Sequence, residues 1–168
     1  MNCAALLIDA FGRIAATVDD AVDGLTNDAL AFRVDPQANS IAWLVWHLTR
    51  IQDDHIAAAF GVEQVWIGDG WVERFGMPFD ARAHGYGHTT EEVGAVRTSA
   101  DLLLGYHEAV HLQTVRLVRD VTDDDLDRVV DRRWDPPVTL GVRLVSVVAD
   151  DLMHAGQAAF VRGLLPTP

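Results

Sequence analysis

Four stretches of this chain repeat apolar residues at helical spacing over about five turns or more, and the gaps between them are unequal. The first covers 3–23, with Leu7, Phe11, Ile14 and Val18 on one stripe and Gly24 just past its end. The second follows Pro36, takes Asn39 or Ser40 as its cap, and reaches Phe60 before Gly61. A third fits Ser99 to Asp120, with Leu103, Tyr106, Val110 and Leu117 in line. The fourth follows Pro136-Pro137, takes Thr139 as its cap, and runs to about Arg162 before Gly163. Roughly fifteen residues join the first pair and roughly eighteen the last, whereas all of 61–98 separates the second from the third. A connector that long lets the chain return to the end it came from, so helices two and three can run parallel. The pattern predicts an all-α fold, a four-helix bundle with one long crossover between helices two and three, in up-down-down-up order. Inside the connectors, Thr89 stands three residues before Glu92, a capping box that predicts a short helix, and 122–130 reads as a helical turn. No alternating strand pattern of useful length and no internal repeat is present.

A chain of 168 residues suffices for one domain, 1–168, with a sizeable core, and 49% hydrophobic residues with five Trp and six Phe supply it. The net charge of −12 repels nucleic acid and anionic membrane surfaces alike. The single cysteine, Cys3, has no internal disulfide partner, so nothing points to an oxidising compartment. The N-terminus meets Asp9 early and lacks the basic start of a secretion signal. No apolar run approaches the ~20 residues needed to span a bilayer. The expectation is a cytoplasmic protein.

Residues 107–111 read HEAVH and fit H-E-x-x-H, the pattern of zinc proteases. On a helix with Leu103 as reference, His107 lies about 40° away, His111 about 80° and Glu108 about 140°. The glutamate therefore faces solvent, and a zinc protease also needs a third ligand downstream. The motif is expected to be a decoy, with His107 alone turned partly inward, towards the border of any pocket.

Helices two and four carry polar residues where their faces should be apolar. With His47 as reference, Trp43, Leu44, Ile51 and Ala58 fall within about 60° of it, and Asp54 within about 20°. On this helix alone, His47 reads first as a core histidine bonded to a neighbour. On helix four, with Asp150 as reference, His154 and Ser146 lie about 40° to either side, and Gln157 and Arg143 about 20°. The rest of that helix, including Val142, Leu144, Val145, Val148, Leu152 and Phe160, is apolar nearly all round and is expected to be largely buried. A stripe of Arg, Ser, Asp, His and Gln in such a helix needs partners: either a hydrogen-bonded polar layer, or an ion held between facing helices.

The segments NSIAWLVWHLTRIQDDH and GVRLVSVVADDLMHAGQAAFVRG resemble the DinB-like metal-binding bundles. The likeness is to their actinobacterial members and to the metal-binding domain of mycothiol-dependent maleylpyruvate isomerases. That family pairs a histidine of helix two with H-x-x-x-H or E-x-x-x-H on helix four. The resemblance therefore implies His47, Asp150 and His154 as metal ligands, with Asp150 in place of the more usual His or Glu. Asp151, about 100° from Asp150, is the poorer acid for the role.

Two imidazoles and a carboxylate favour zinc, with nickel, iron or manganese as alternatives, and three protein ligands leave a position open. The resemblance implies a low-molecular-weight thiol of the mycothiol type as co-substrate, activated on the ion to attack an unknown electrophile, in a transferase or isomerase. Asp54, His107, Ser146, Gln157 and Arg143 are candidates to support the ligands from behind, Asp54 reading equally as a solvated surface acid. The competing class is a bundle without catalysis, a binding or stress-associated protein. GYGH at 85–88 reads as a turn, His84 and His88 as surface histidines or groups at the mouth of the site, and Trp66 and Trp71 as bundle cover, lid or subunit contact. Apolar crossover residues make a homodimer a reasonable expectation.

Overall fold

The computed structural model describes residues 1–166. The chain runs through α1 (Cys3–Val22), α2 (Asn27–Leu30), α3 (Ile41–Phe60), α4 (Val65–Gly68), α5 (Trp71–Phe75), α6 (Thr90–Ala95) and α7 (Ala100–Val118). A single 3-10 turn (Asp124–Asp127), the short strands β1 (Val129–Asp131) and β2 (Val138–Thr139), and α8 (Leu140–Gly163) complete it. Each long helix starts on a side-chain oxygen that accepts a backbone N–H: Asn2 from Ala5, Ser40 from Trp43, Ser99 from Leu102 and Thr139 from Val142. Gly61, at φ 68°, stops α3 in the left-handed conformation. The Thr89–Glu92 capping box forms and starts α6.

Helix directions follow from three meetings of ends. The Cys3 thiol donates to the carbonyl of Val121, so α1 and α7 are antiparallel. Arg162 donates to the carbonyl of Asp23, so α1 and α8 run together. Tyr106 meets Asp53, and one turn or more further on Gln113 donates to the carbonyl of Glu63, so α3 and α7 are parallel. The order is up-down-down-up. Around the ring α1 touches α7 and α8, and α3 touches α7 and α8, leaving α1/α3 and α7/α8 as the diagonals. Among the described residues, no helix is long and apolar enough to cross a membrane.

Every residue of α3 from Ile41 to Asp53 is buried, because the crossover covers the face its neighbours leave open. Besides His47, four of these are polar and each finds partners. Thr49 donates to the carbonyl of Val45, and Gln52 to the hydroxyl of Thr114. Asp53 accepts from the backbone N–H groups of Val65 (2.9 Å) and Trp66 (2.8 Å), which open α4, and from the Tyr106 hydroxyl (2.9 Å). Arg50 lies 3.6 Å from Asp53 and donates to the carbonyl of Ala83, the side chain of Gln64 and the Tyr106 oxygen. Its guanidinium stacks 5.1 Å over the Trp66 ring. Trp66, Trp71, Phe75 and Tyr106 cluster ring against ring on this network, so the two tryptophans are core residues rather than a lid or a subunit contact.

Two further expectations need correction. The helical turn expected within 122–130 forms at Asp124–Asp127, but the chain then enters β1, which pairs antiparallel with β2, Val129 opposite Thr139, where the sequence shows no strand pattern. Segments of two and three residues are too short for alternation to register. α8, moreover, is not buried all round. Leu144, Val147, Asp151, Ala155 and Ala158 face the core, but Val142, Val145, Leu152, Met153 and Phe160 stand in solvent.

Removing one member of a buried ion pair strands the other, at about 3–5 kcal/mol. Asp53→Ala should cost that much in urea denaturation and accelerate amide exchange at Val65 and Trp66. Arg50→Met with Asp53→Leu should cost less than Asp53→Ala alone, and a larger loss in the double variant would refute the pairing.

Candidate metal centre

His47 leaves α3 in mid-helix, and Asp150 and His154 leave α8 one turn apart, where these antiparallel helices meet. One ligand atom from each lies within 4.8 Å of the other two, and no other such group of three or more occurs among the described residues. The His47 and His154 rings stand 4.9 Å apart at 73°, and His154 Nε2 lies 3.7 Å from Asp150 Oδ1. Each imidazole is oriented from behind. Nδ1 of His47 bonds the carbonyl of His84, and Nδ1 of His154 meets Oε1 of Gln157 at 2.9 Å. With Nδ1 carrying the proton in both, the lone pairs of both Nε2 atoms are free for an ion.

The donor set fits a divalent ion. A tetrahedral zinc site sets its ligand atoms ~3.3 Å apart, and these three already lie within 4.8 Å of one another. Oδ2 of Asp150 is buried without a hydrogen-bond partner, an acceptor left for something to satisfy. Burial pushes the His47 imidazole down to about 4, the charge of His154 adding to it against the His84 carbonyl and Asp150, so His47 is neutral at pH 7 and ready to ligate. Trp43 stacks on His47 at 4.6 Å and 15°, turns its edge to His154, and walls one side of the site. Asp150 and His154 are partly exposed and form the open side. Asp151 points the other way, fully buried, with neither oxygen bonded, and burial holds its carboxyl well above the usual range.

The other supporting candidates are engaged elsewhere. Asp54 accepts from Gln64 and faces His55, Arg143 pairs with Asp131 at 3.1 Å, and Ser146 donates to the carbonyl of Arg143. Asp54 and Arg143 line a separate cavity of about 160 Å³ with Asp131 and Arg133. Of the five, Gln157 alone bonds a member of the triad. His107 sits away from it too, on the flank of α7 that faces α1. There it lines a groove with His111, Glu108 and, from α1, Gly12, Ala15, Ala16 and Asp19.

What the sequence did not reveal is the part played by the crossover. The turn at 85–88 carries the His84 carbonyl to His47, and His88 is half-buried and engaged: it accepts from the Trp43 indole at 3.2 Å and stacks on Trp46. Gly85, at φ 93°, makes the approach feasible. A Cβ there would stand 2.7 Å from Nδ1 of His47 and 3.2 Å from both Trp43 and Trp46. The signal was the GYGH string itself, whose glycines mark a turn but not what the turn touches.

Two outcomes follow. Gly85→Ala should keep the bundle folded by circular dichroism yet weaken zinc binding about 10–100-fold; unchanged affinity would detach the turn from the site. The second concerns His107, whose imidazole burial and the neighbouring His111 push down to about 3, with His111 and Glu108 on its own helix and Asp19 facing from α1. Because the folded value lies below the unfolded one, this group costs nothing above pH 6.5 and destabilises the fold as pH falls towards 3. Between pH 7 and 4.5 wild type should lose about 2–3 kcal/mol more than His107→Leu in denaturant titrations. Parallel losses would place the acid sensitivity elsewhere.

The chain matches the family described as MST, mycothiol-S-transferase, over residues 6–166. Among solved structures, it is similar to one described as a crystal structure of the conserved protein of locus from Enterococcus faecalis. The two are 30% identical with a TM-score of 0.90, over 98% of this chain and 97% of that one. No curated protein matches. A match over nearly the whole length, on a bundle of DinB-like architecture, places this chain in the mycothiol-S-transferase family.

Proposed function

We propose that this protein is a metal-dependent S-transferase that joins a low-molecular-weight thiol of the mycothiol type to a small electrophile, with the ion held by His47, Asp150 and His154. The observation that carries this reading is the convergence of those three ligand atoms within 4.8 Å, with one side left open. Zinc suits the donor set best, and nickel, iron and manganese are also compatible. A divalent ion bound there would supply the Lewis acidity that lowers the pKa of a thiol and holds it as thiolate.

The residues of the chain do the rest. The His84 carbonyl and Gln157 fix the tautomers of the two histidines, and burial keeps His47 unprotonated. Trp43 and the 85–88 turn exclude water from one side, so the thiol enters past Asp150 and His154. The family match favours transfer over isomerisation. HEAVH takes no part in this, since its histidines line the α1–α7 groove.

Wild-type protein should take up about one divalent ion per chain, and a thousandfold excess over Kd should add about 4 kcal/mol of stability. His47→Ala and His154→Ala should each abolish binding. Asp150→Asn should weaken it far more than Asp151→Asn, and the reverse order would mean the other acid is the ligand. His111→Ala and Glu108→Gln should leave metal content intact and no peptidase activity should appear. A mycothiol-type thiol should raise the melting temperature of the metal form and not of the metal-free form. An identical response in both would overturn thiol activation and leave a binding protein.

A further inference from the structure

The outward face of α8 asks for an occupant. Val142, Val145, Leu152, Met153 and Phe160 are 44% to 67% exposed, although the helix that bears them is the longest in the fold. At 1.5 Å per residue they form one stripe about 27 Å long. No charged residue interrupts it, in a chain of net charge −12. Ala149 and Gly156 lie between the large side chains, on the same face and also exposed. Gly156 has no role within its own chain: a Cβ placed there meets nothing within 4 Å. Glycine in mid-helix costs about 1 kcal/mol relative to alanine, so the position gains by glycine only if another backbone comes close.

The stripe is symmetric about the point between Leu152 and Met153. In an antiparallel pairing about that point, Leu152 faces Met153, Ala149 faces Gly156, Val145 faces Phe160, and Val142 faces Gly163. Small meets small at two places, where the axes approach to about 8 Å, and large meets large between and beyond them. Self-complementarity of this kind is what a two-fold interface requires. Five large apolar side chains at these exposures leave on the order of 500 Å² in water, high for one patch on a monomer and most of the ~800 Å² per partner of a standard interface.

We infer that the outward face of α8 is the interface of a homodimer, in which two copies of α8 cross antiparallel about a two-fold axis between Leu152 and Met153. The register sets Val145 of one chain against the partner's Phe160. Asp150 and His154 sit at the edge of the face rather than within it, so both metal centres stay open beside the interface. Because each copy carries −12, long-range repulsion opposes association and salt strengthens it.

Sedimentation equilibrium on the full chain, between about 0.1 and 100 µM, tests this. The expected mass is twice 18.4 kDa, with tighter association at higher salt. Val145→Glu and Phe160→Lys should each raise the dimer dissociation constant at least about 100-fold, with unchanged helical signal because both sites are exposed. The double variant Val145→Glu/Phe160→Lys should return to within about tenfold of wild type, since every glutamate then faces a lysine of the partner. Val142→Glu/Phe160→Lys should not recover. A wild-type monomer across the range overturns the inference, including one whose apolar stripe binds phosphatidylcholine vesicles instead. So do single variants that remain dimeric, which would put the interface elsewhere. Failure of the facing pair to recover overturns the antiparallel register.

Discussion

An ion pair with no access to solvent, Arg50 with Asp53, fastens the long crossover to the bundle. Two parallel neighbours, α3 and α7, force the chain to travel the length of the molecule between them, and a connector of that length is costly to order. Asp53 spends its lone pairs on the first N–H groups of α4 and on Tyr106; Arg50 spends its protons on Ala83, Gln64 and Tyr106. One partner belongs to the helix, the rest largely to the crossover. The pair thus holds a loop at two places, Val65–Trp66 and Ala83, and the second is one residue from His84. That places the carbonyl behind His47. The ion pair and the candidate metal centre are two ends of one arrangement, Arg50 standing three residues from His47 on α3.

Proton states at the centre follow from the same burial. His47 is covered by Trp43 and the 85–88 turn, so its charged form is disfavoured while its Nδ1–H keeps a fixed acceptor. On α8 a rotation of one residue separates two carboxylates of opposite character. Asp150 looks along the α3–α8 seam with an oxygen unsatisfied; Asp151 looks into the core and gains nothing from ionising there. The helix turns one acid towards the site and hides the other in the core.

The sequence carried the helices because their signals are local. Asn2, Ser40, Ser99 and Thr139 each cap the helix they precede, and periodicity marks His47, Asp150 and His154 as polar residues on apolar faces. The crossover was opaque for the opposite reason. Arg50, Asp53, Gly85 and His88 act through contacts with residues 12 to 56 positions away in the chain, and no spacing rule reports those. α8 shows a third case. Its periodicity said correctly that nearly every side is apolar, but apolarity states what a residue avoids, not whether its own chain covers it. The ring order leaves α8 two neighbours, α1 and α3, and so an outer arc uncovered.

Ring order also explains why ligand atoms gather at the weaker motif and not at the stronger one. HEAVH has the spacing, the helix and the glutamate of a metal site; D-x-x-x-H at 150–154 has less to distinguish it from chance. A pair of ligands at i and i+4 still needs a third from another element, and position in the bundle decides what is within reach. α7 stands diagonal to α8, so His154 is across the molecule from His107 and His111. The neighbour on their flank, α1, offers Asp19 at a groove rim, too far to converge with them. α8 lies against α3 along its length, antiparallel, which brings mid-helix His47 to the level of 150–154. A motif fixes the spacing of groups on one helix. Which helix stands opposite is settled by connector lengths, and here the 38 residues of 61–98 decide it, by making α3 and α7 parallel and leaving α8 to return along α3.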